Sequence, residues 1–511
     1  MRRPIRFPLE VALAAALAAA GAACAAAEDE APRGLEKFSQ QILDFYGRAQ
    51  DVAYEDLDRD GRIDVAVVHE STVDGQRHRY VSFFFQNPDT GFGGMPDQTL
   101  TPPARAGAMT LADIDPAPGM ELLWIVDDGV WFHTLESGRY GRTPQRLLFF
   151  PTFFEMPQPD ALPFWDGAVD IDGNGATDLI VPQRDGFLVF FQGPVGKFSR
   201  IQRLDAKGER TVETREGAFL NLTATLPAVH VEDFDGDGRK DILVTARDHF
   251  EYFLQDAQGG LPAGPSGQFD LTFFREQLKR DQVQSVVARL MDVNGDRSVD
   301  MIVAYTHGDI GVFESIMTQV LVFFGKQGRP YANSPDQIIN LSGVSIEPRI
   351  VDINRDGLQD LVVSSLRTDL FAGLKGVALK AVSVSYYIYL FNAEEGRFHE
   401  SPDYDRDVSV PTKALEQGGS EIPRINFDGD FDHDGLLDMV TVSGQGRLAI
   451  YPGRKSYGIM HSGGFAFRKD EHLLVTLKDN PRSIDIADLN GDGRSDLSLR
   501  HTSRLEVFLS K

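Results

Sequence analysis

Short apolar runs recur along this chain, each opening on an aspartate: DVAVVHE (64–70), DLIVPQ (178–183), DILVTA (241–246), DMIVAY (300–305), DLVVSS (360–365) and DMVTVS (438–443). They are six or seven residues long, mostly β-branched, and lie between turn residues, which is the signature of buried strands. A shorter apolar stretch precedes each run, as in PAVHVEDF and RSIDIADL. A run rich in phenylalanine and tyrosine follows, as in YVSFFFQ, GFLVFFQG, QVLVFFG, YYIYLFN and RLAIYPG. A fourth segment completes the unit, as in KFSRIQRLD and FAFRKDEHLLVTL. None of these segments carries the 3.6-residue period of a helix.

The units are marked by a nine-residue acidic motif. It starts at Asp56, Asp170, Asp233, Asp292, Asp352, Asp430 and Asp488, and a worn copy, DIDPAPGME, starts at Asp113. Successive starts lie between 57 and 78 residues apart. Four short strands per repeat of this length predict the blades of a β-propeller. The eighth motif is followed by only two further strands, DLSLRHT and RLEVFLSK, so the last blade lacks its fourth. The segment EKFSQQILDFYG (36–47) matches the fourth-strand pattern and is expected to complete that blade. The predicted fold class is therefore all-β: one eight-bladed propeller over residues 28–511, closed by an N-terminal strand, with a calcium loop between the first and second strands of most blades.

The motif D-x-D-x-D-G-x-x-D points to metal. Carboxylates this close repel one another, and each would take up a proton unless something offsets the charge. The glycine at position six allows a tight turn with positive φ. Positions one, three and five then offer side-chain oxygens, position seven a backbone carbonyl, and position nine an acid. The expected ligand sets are Asp56, Asp58, Asp60, the Arg62 carbonyl and Asp64; Asp170, Asp172, Asn174, the Ala176 carbonyl and Asp178; Asp233, Asp235, Asp237, the Arg239 carbonyl and Asp241. Next come Asp292, Asn294, Asp296, the Ser298 carbonyl and Asp300; then Asp352, Asn354, Asp356, the Leu358 carbonyl and Asp360. Asp430, Asp432, Asp434, the Leu436 carbonyl and Asp438 form the sixth set; Asp488, Asn490, Asp492, the Arg494 carbonyl and Asp496 form the seventh.

All-oxygen cages of six or seven donors suit Ca²⁺ better than Mg²⁺, and the lack of soft ligands argues against zinc or copper. The copy from Asp292 has Arg297 in place of the glycine, so its turn is expected to be strained. The copy from Asp113 offers Asp115 and Glu121 but has Ala117 and Pro118 in its middle, so it is expected to be weak or empty. An EF-hand is excluded because position twelve is apolar (Val67, Val244, Leu499) and the chain leaves the loop as a strand. A solvated acidic turn without metal is the alternative. On the metal reading each loop ties strands within its own blade, so ion binding is folding energy.

Net charge is -25 at pH 7, which argues against nucleic acid as a partner; seven divalent ions would add about +14. No apolar run of about 18 residues is present, so no transmembrane helix is expected. Residues 1–27 read as an export signal, with Arg2, Arg3 and Arg6 before the apolar stretch 11–23. Cleavage after Ala25-Ala26-Ala27 gives a mature start near Glu28. Alternatively Cys24, the one cysteine, carries a lipid anchor, although the usual aliphatic residue three before it is missing. Either way the protein is expected in the periplasm, outside the cell, or anchored at a bacterial envelope, without a disulfide.

The loops and their flanking strands resemble FG-GAP/VCBS-type repeats, the calcium-loop blades also found in integrin α-subunit propellers. The resemblance spans nearly the whole mature chain and implies the fold and the calcium positions of the seven good loops. It implies no activity, since bacterial proteins of this type are mostly exported binding or adhesion proteins, while some eight-bladed calcium propellers are polysaccharide lyases.

Ligand contact is expected on the face opposite the loops, where connections 151–167, 207–227, 305–317, 366–381 and 403–421 are enlarged. Segment 366–381 is amphipathic enough for a short helix. Phe153, Phe154, Phe164 and Trp165 either stack on a sugar or protein partner or pack beneath their own loop. No G-x-S-x-G, H-E-x-x-H or phosphate-binding glycine loop occurs. His433 is the variable residue of its loop, and His230 and His307 are assigned to strands or their ends. Two function classes remain: a non-catalytic binding, adhesion or scaffold protein for a protein or glycan ligand, and a calcium-dependent polysaccharide lyase or hydrolase.

Overall fold

The computed structural model describes residues 31–511 apart from 155–160, 184, 194–196, 207–208, 216–218, 226–227, 246–248, 271–281, 310–311, 327–330, 332–333, 346–347, 367–380, 412–423, 444–445 and 457–463. Eight antiparallel sheets of four or five strands follow one another along the chain. Blade 1 shows the plan: Arg48–Glu55, Asp64–Val73, Gln76–Phe84 and Gln98–Leu100 pair in sequence order. Blades 2 to 7 occupy 106–149, 168–204, 228–270, 282–342, 344–411 and 424–476. Blade 8 takes Ser483–Ala487, Asp496–Arg500 and Arg504–Ser510 and receives Phe38–Asp44 as its fourth strand, in register from Phe38↔Ser510 to Asp44↔Arg504. The expected closure is thus present. Phe38 and Leu43 are buried in it, each stabilising the ring by about 1.5–3 kcal/mol.

The second strands are buried along their length, as the unbroken apolar runs require, and fourth strands alternate, as in Lys197–Leu204. First strands of neighbouring blades approach each other, so they converge on the propeller axis. One hydrophobic cluster fills each junction between blades. The last joins Phe38 of the closing strand to Phe431 of blade 7 and Phe508 of blade 8, at ring separations of 6.3 and 6.4 Å.

Three of the enlarged connections are more ordered than expected. Residues 207–227 hold a hairpin of Glu209–Arg215 and Phe219–Thr225. Most of 305–317 belongs to the long strands Asp300–Asp309 and Val312–Phe323, whose register shifts between His307 and Asp309. Tyr404–Pro411 is the fourth strand of blade 6, so 403–421 is only in part a connection. The helix expected within 366–381 falls on 367–380, outside the described residues.

Candidate metal centres and the opposite face

Each acidic loop joins the first and second strands of its blade, and its backbone supplies the compensation that the clustered carboxylates need. In the fourth loop Asp233 Oδ1 accepts from the Gly236 and Asp237 N–H groups (2.8 and 3.1 Å), and its Oδ2 accepts from Gly238 (2.8 Å). Asp235 accepts from Asp237 N–H at 3.2 Å and Asp237 from Arg239 N–H at 2.9 Å. The loops from Asp56, Asp170, Asp430 and Asp488 repeat the bonds from positions five and six to the first aspartate. Position six is left-handed, with φ of 88° at Gly61, 89° at Gly238 and 71° at Arg297. The arginine carries a cost of about 1–2 kcal/mol in that conformation. Even so, the Arg297 N–H reaches Asp292 Oδ2 at 2.8 Å. Position four is left-handed too, including Arg59, Arg355 and His433. The sequence signal for this, overlooked in favour of position six, is glycine at 173, 236, 295 and 491.

Position nine does the most. Asp241 is fully buried; its Oδ2 accepts from Phe234 N–H at 3.0 Å and its Oδ1 from Gln255 N–H at 2.7 Å. It therefore pins the start of the loop to the end of the third strand. Asp64, Asp178, Asp300, Asp360, Asp438 and Asp496 make the same two bonds. Burial pushes these carboxyls up, to about 7 at Asp64, Asp300, Asp360, Asp438 and Asp496 and about 6 at Asp178 and Asp241. Neighbouring loop carboxylates add to the rise and the backbone N–H bonds oppose it. Burial, then the adjacent acids, also raise Asp58, Asp235 and Asp432.

In four loops three carboxylates offer oxygens that all lie within 4.8 Å of one another: Asp56, Asp58 and Asp64; Asp170, Asp172 and Asp178; Asp233, Asp235 and Asp241; Asp430, Asp432 and Asp438. These clusters have the composition to hold a metal ion. In the loops from Asp292, Asp352 and Asp488 position three is an asparagine. Its amide donates to the position-five carboxylate at 3.1, 3.0 and 3.2 Å, while its oxygen accepts from the position-five N–H.

The copy from Asp113 departs from the others. Glu121 is buried and its Oε2 accepts from both Ile114 and Asp115 N–H, at 2.9 and 3.2 Å, so the half of the pin that holds the start of the loop survives. Asp113, Asp115 and Glu121 do not converge as the four clusters do. Asp113 instead pairs with the guanidinium of Arg59 from blade 1.

The expectation that the loops tie strands only within a blade is too narrow. Ile63 N–H of loop 1 donates to Leu489 O of loop 8 at 3.1 Å, and Met120 N–H of loop 2 to Leu57 O of loop 1 at 2.8 Å. Gln359 N–H reaches Val293 O at 3.0 Å, Leu437 N–H reaches Ile353 O at 3.3 Å, and Ser495 N–H reaches Asp430 O at 3.0 Å. A glutamine at or just beyond the end of the third strand works alongside. Gln86, Gln192 and Gln255 give side-chain N–H bonds of 2.9, 2.9 and 3.1 Å to the second-position carbonyls Leu489, Ile114 and Ile171 of the preceding blade. Peptide groups at position eight and at positions one or two hold these neighbouring blades together, which no residue identity in the motif could announce.

On the opposite face the aromatic segment packs rather than projects. Phe164 bridges Met109 of the first strand of blade 2, and Trp165 Nε1–H donates to Ile180 O of blade 3 at 2.6 Å. The Trp165 ring lies 6.2 Å from that of Phe187, nearly parallel. Phe154 sits against Gly107, where a Cβ would come within 2.4 Å of its ring. Near the axis, polar pairs bridge first strands: Arg349 of blade 6 meets Asp428 of blade 7, and the Tyr54 hydroxyl of blade 1 donates to Asp485 of blade 8 at 3.1 Å. His230 and His307 lie in strands, as expected.

Fold and loops together define a β-propeller whose blades carry acidic turns on one face. Residues 430–498, which run from the loop of blade 7 into the second strand of blade 8, match a family described as an FG-GAP-like repeat. That match and the ring of eight blades are together consistent with an FG-GAP-type propeller. No curated protein matches the chain by sequence. Among solved structures it is similar to an Agrocybe aegerita lectin described as recognising non-reducing terminal N-acetylglucosamine, with 15% identity, 92% of this chain and 99% of that one covered, and a TM-score of 0.40. It is similar to Sqt1 from Chaetomium thermophilum at 10% identity, with 92% and 98% covered and a TM-score of 0.42. It is also similar to rhamnogalacturonan lyase YesW at 10% identity, with 90% and 74% covered and a TM-score of 0.27. Likenesses at this level say nothing about a ligand.

Proposed function

We propose that this protein is an exported calcium-dependent propeller that binds a protein or glycan on the face opposite its acidic loops, without catalysis. The observation that carries the calcium reading is the convergence of Asp233, Asp235 and Asp241 within 4.8 Å and its repetition in three other loops. Hard oxygens in a loop pre-shaped by its own N–H bonds suit Ca²⁺. The residues that would hold the ion are those at positions one, three, five and nine with the position-seven carbonyl, in the loops starting at 56, 170, 233, 292, 352, 430 and 488. The ion would neutralise carboxylates that already hold the first, second and third strands together, so its role is to complete the scaffold. The ligand role falls to the opposite face because the loops are engaged with one another.

Thermal melts in calcium and in excess chelator test the scaffold. A midpoint unmoved by chelation would refute it. A glycan array and a pull-down, both in calcium, test the binding role.

A second reading, a calcium-dependent polysaccharide lyase or hydrolase, is favoured by the Tyr54–Asp485 pair at the axis, near Arg500. Release of new unsaturated ends from acidic polysaccharides would decide for it.

A further inference from the structure

The axial end of blades 8 and 1, on the face away from the loops, gathers three arginines in a strongly acidic protein. Arg48 opens the first strand of blade 1, Arg482 precedes that of blade 8, and Arg500 ends the second strand of blade 8. Arg48 and Glu55 stand at opposite ends of one strand, which places Arg48 about 23 Å from the loop face at a rise of about 3.3 Å per residue.

Backbone bonds fix the three together. Arg482 N–H donates to Arg500 O at 2.6 Å, and Ala49 N–H, next to Arg48, donates to Thr502 O at 2.7 Å. Side-chain bonds use only part of their donors. Arg482 gives its Nε–H to Thr502 Oγ1 at 3.3 Å, and Arg500 gives one Nη1–H to Gln50 O at 3.4 Å. Arg48 is exposed and makes no side-chain hydrogen bond or ion pair with a described residue. Partial burial, then the charges of Arg48 and Arg500, lower the pKa of Arg482.

Three carboxylates share the area, one of them Asp485, which accepts from the Tyr54 hydroxyl at 3.1 Å. Asp51 Oδ1 stands 3.9 Å from Arg500 Nη1, and Glu70 faces Arg48 across the ladder with its Oε2 buried and without a hydrogen bond. Three guanidiniums meet three carboxylates here, and the forked donors of Arg48 and Arg482 stay largely open.

We propose that the mouth between blades 8 and 1 docks a single oxyanion group, a carboxylate or phosphate, through Arg48, Arg482 and Arg500. This inference rests on the ligand-face reading above and names the chemistry of the ligand. Forked guanidiniums match planar oxyanions in a bidentate way. The net charge of -25 elsewhere repels a polyanion. The ligand is therefore one that carries an isolated acid, such as a uronate within an otherwise neutral glycan.

The test is calorimetric titration of the full chain in calcium with three probes: a trisaccharide with one hexuronate, its all-neutral counterpart, and inorganic phosphate. The acidic trisaccharide should bind at least about ten-fold more tightly than the neutral one, with affinity falling as salt rises. Arg48→Gln and Arg482→Gln, both at exposed positions, should each lose about ten-fold. The melting point in calcium should stay unchanged. Phosphate that binds as well as the sugar acid assigns the site to free anions, and weaker phosphate binding assigns it to a sugar-borne acid; both support the oxyanion site. Equal binding of acidic and neutral sugars, full affinity in both variants, or no binding of either anionic probe would overturn it. Neutral-sugar binding that persists in the variants would leave the ligand-face reading standing and remove only the oxyanion.

Discussion

The guanidinium of Arg59, at the fourth position of the first blade's loop, lies on the carboxylate of Asp113, the first position of the second blade's loop. A side chain from the neighbouring blade thus supplies the positive charge where the motif has decayed. Both partners are partly exposed, so the pair itself contributes about 0–1 kcal/mol. Asp113→Asn should leave the calcium stoichiometry of the protein unchanged, while Asp233→Asn lowers it by one ion. Isothermal titration of chelator-stripped protein measures both, and an ion lost from Asp113→Asn would contradict the assignment.

Positions three and nine should separate in the absence of metal. Asp235 lends its carboxylate to the cluster and to one loop N–H, whereas Asp241 holds Phe234 and Gln255 N–H groups in a buried site. Asp241→Asn turns an amide N–H₂ towards one of those donors, at about 1–3 kcal/mol. In chelator, urea unfolding should show Asp241→Asn destabilised by that amount and Asp235→Asn close to wild type. Equal losses would mean that the two positions have one and the same role.

Stability should depend on pH in opposite ways with and without calcium. The position-nine carboxyls stand at about 6 to 7 in the metal-free fold, against about 3.9 for an unfolded aspartate. A raised folded pKa means that the native state holds protons more tightly than the unfolded chain. Its stabilising effect is complete below the unfolded value and disappears as pH rises through about 7. In chelator the melting point should therefore fall between pH 5 and pH 8, and the increment given by calcium should grow over the same window as the ion displaces the protons. A chelator melting point that is flat or rising across that window would count against it.

The glutamine clamps predict a distributed cost. Gln86 is buried, and its amide bonds the carbonyls of both Ile63 and Leu489. Gln86→Ala, Gln192→Ala and Gln255→Ala should each cost about 1 kcal/mol. They lie in separate blades, so the triple variant should lose roughly the sum in urea unfolding. A triple variant as stable as the wild type would show that the clamps are incidental.

The blade count, the closing strand and the loop positions were legible because they rest on spacing and on strand-length apolar runs. Phe38–Asp44 was recognisable as a fourth strand from its likeness to Lys197–Leu204. The double role of Asp241 was half legible: its place in the motif showed an acid, but the Gln255 N–H that it holds lies 14 residues away on another strand. The contacts between loops were not legible, since they run through peptide groups common to all residues. Arg48, Arg482 and Arg500 were missed for a related reason, because the ring closure brings together residues more than 400 positions apart.

The peptide bonds that pass from loop to loop have a thermodynamic consequence. The Leu489 carbonyl that Ile63 and Gln86 grip belongs to a turn whose shape depends on Asp488 and Asp496. Filling one turn therefore stiffens the wall of the next. Calcium uptake should then rise more steeply than independent sites allow, with the linked loops sharing one binding curve.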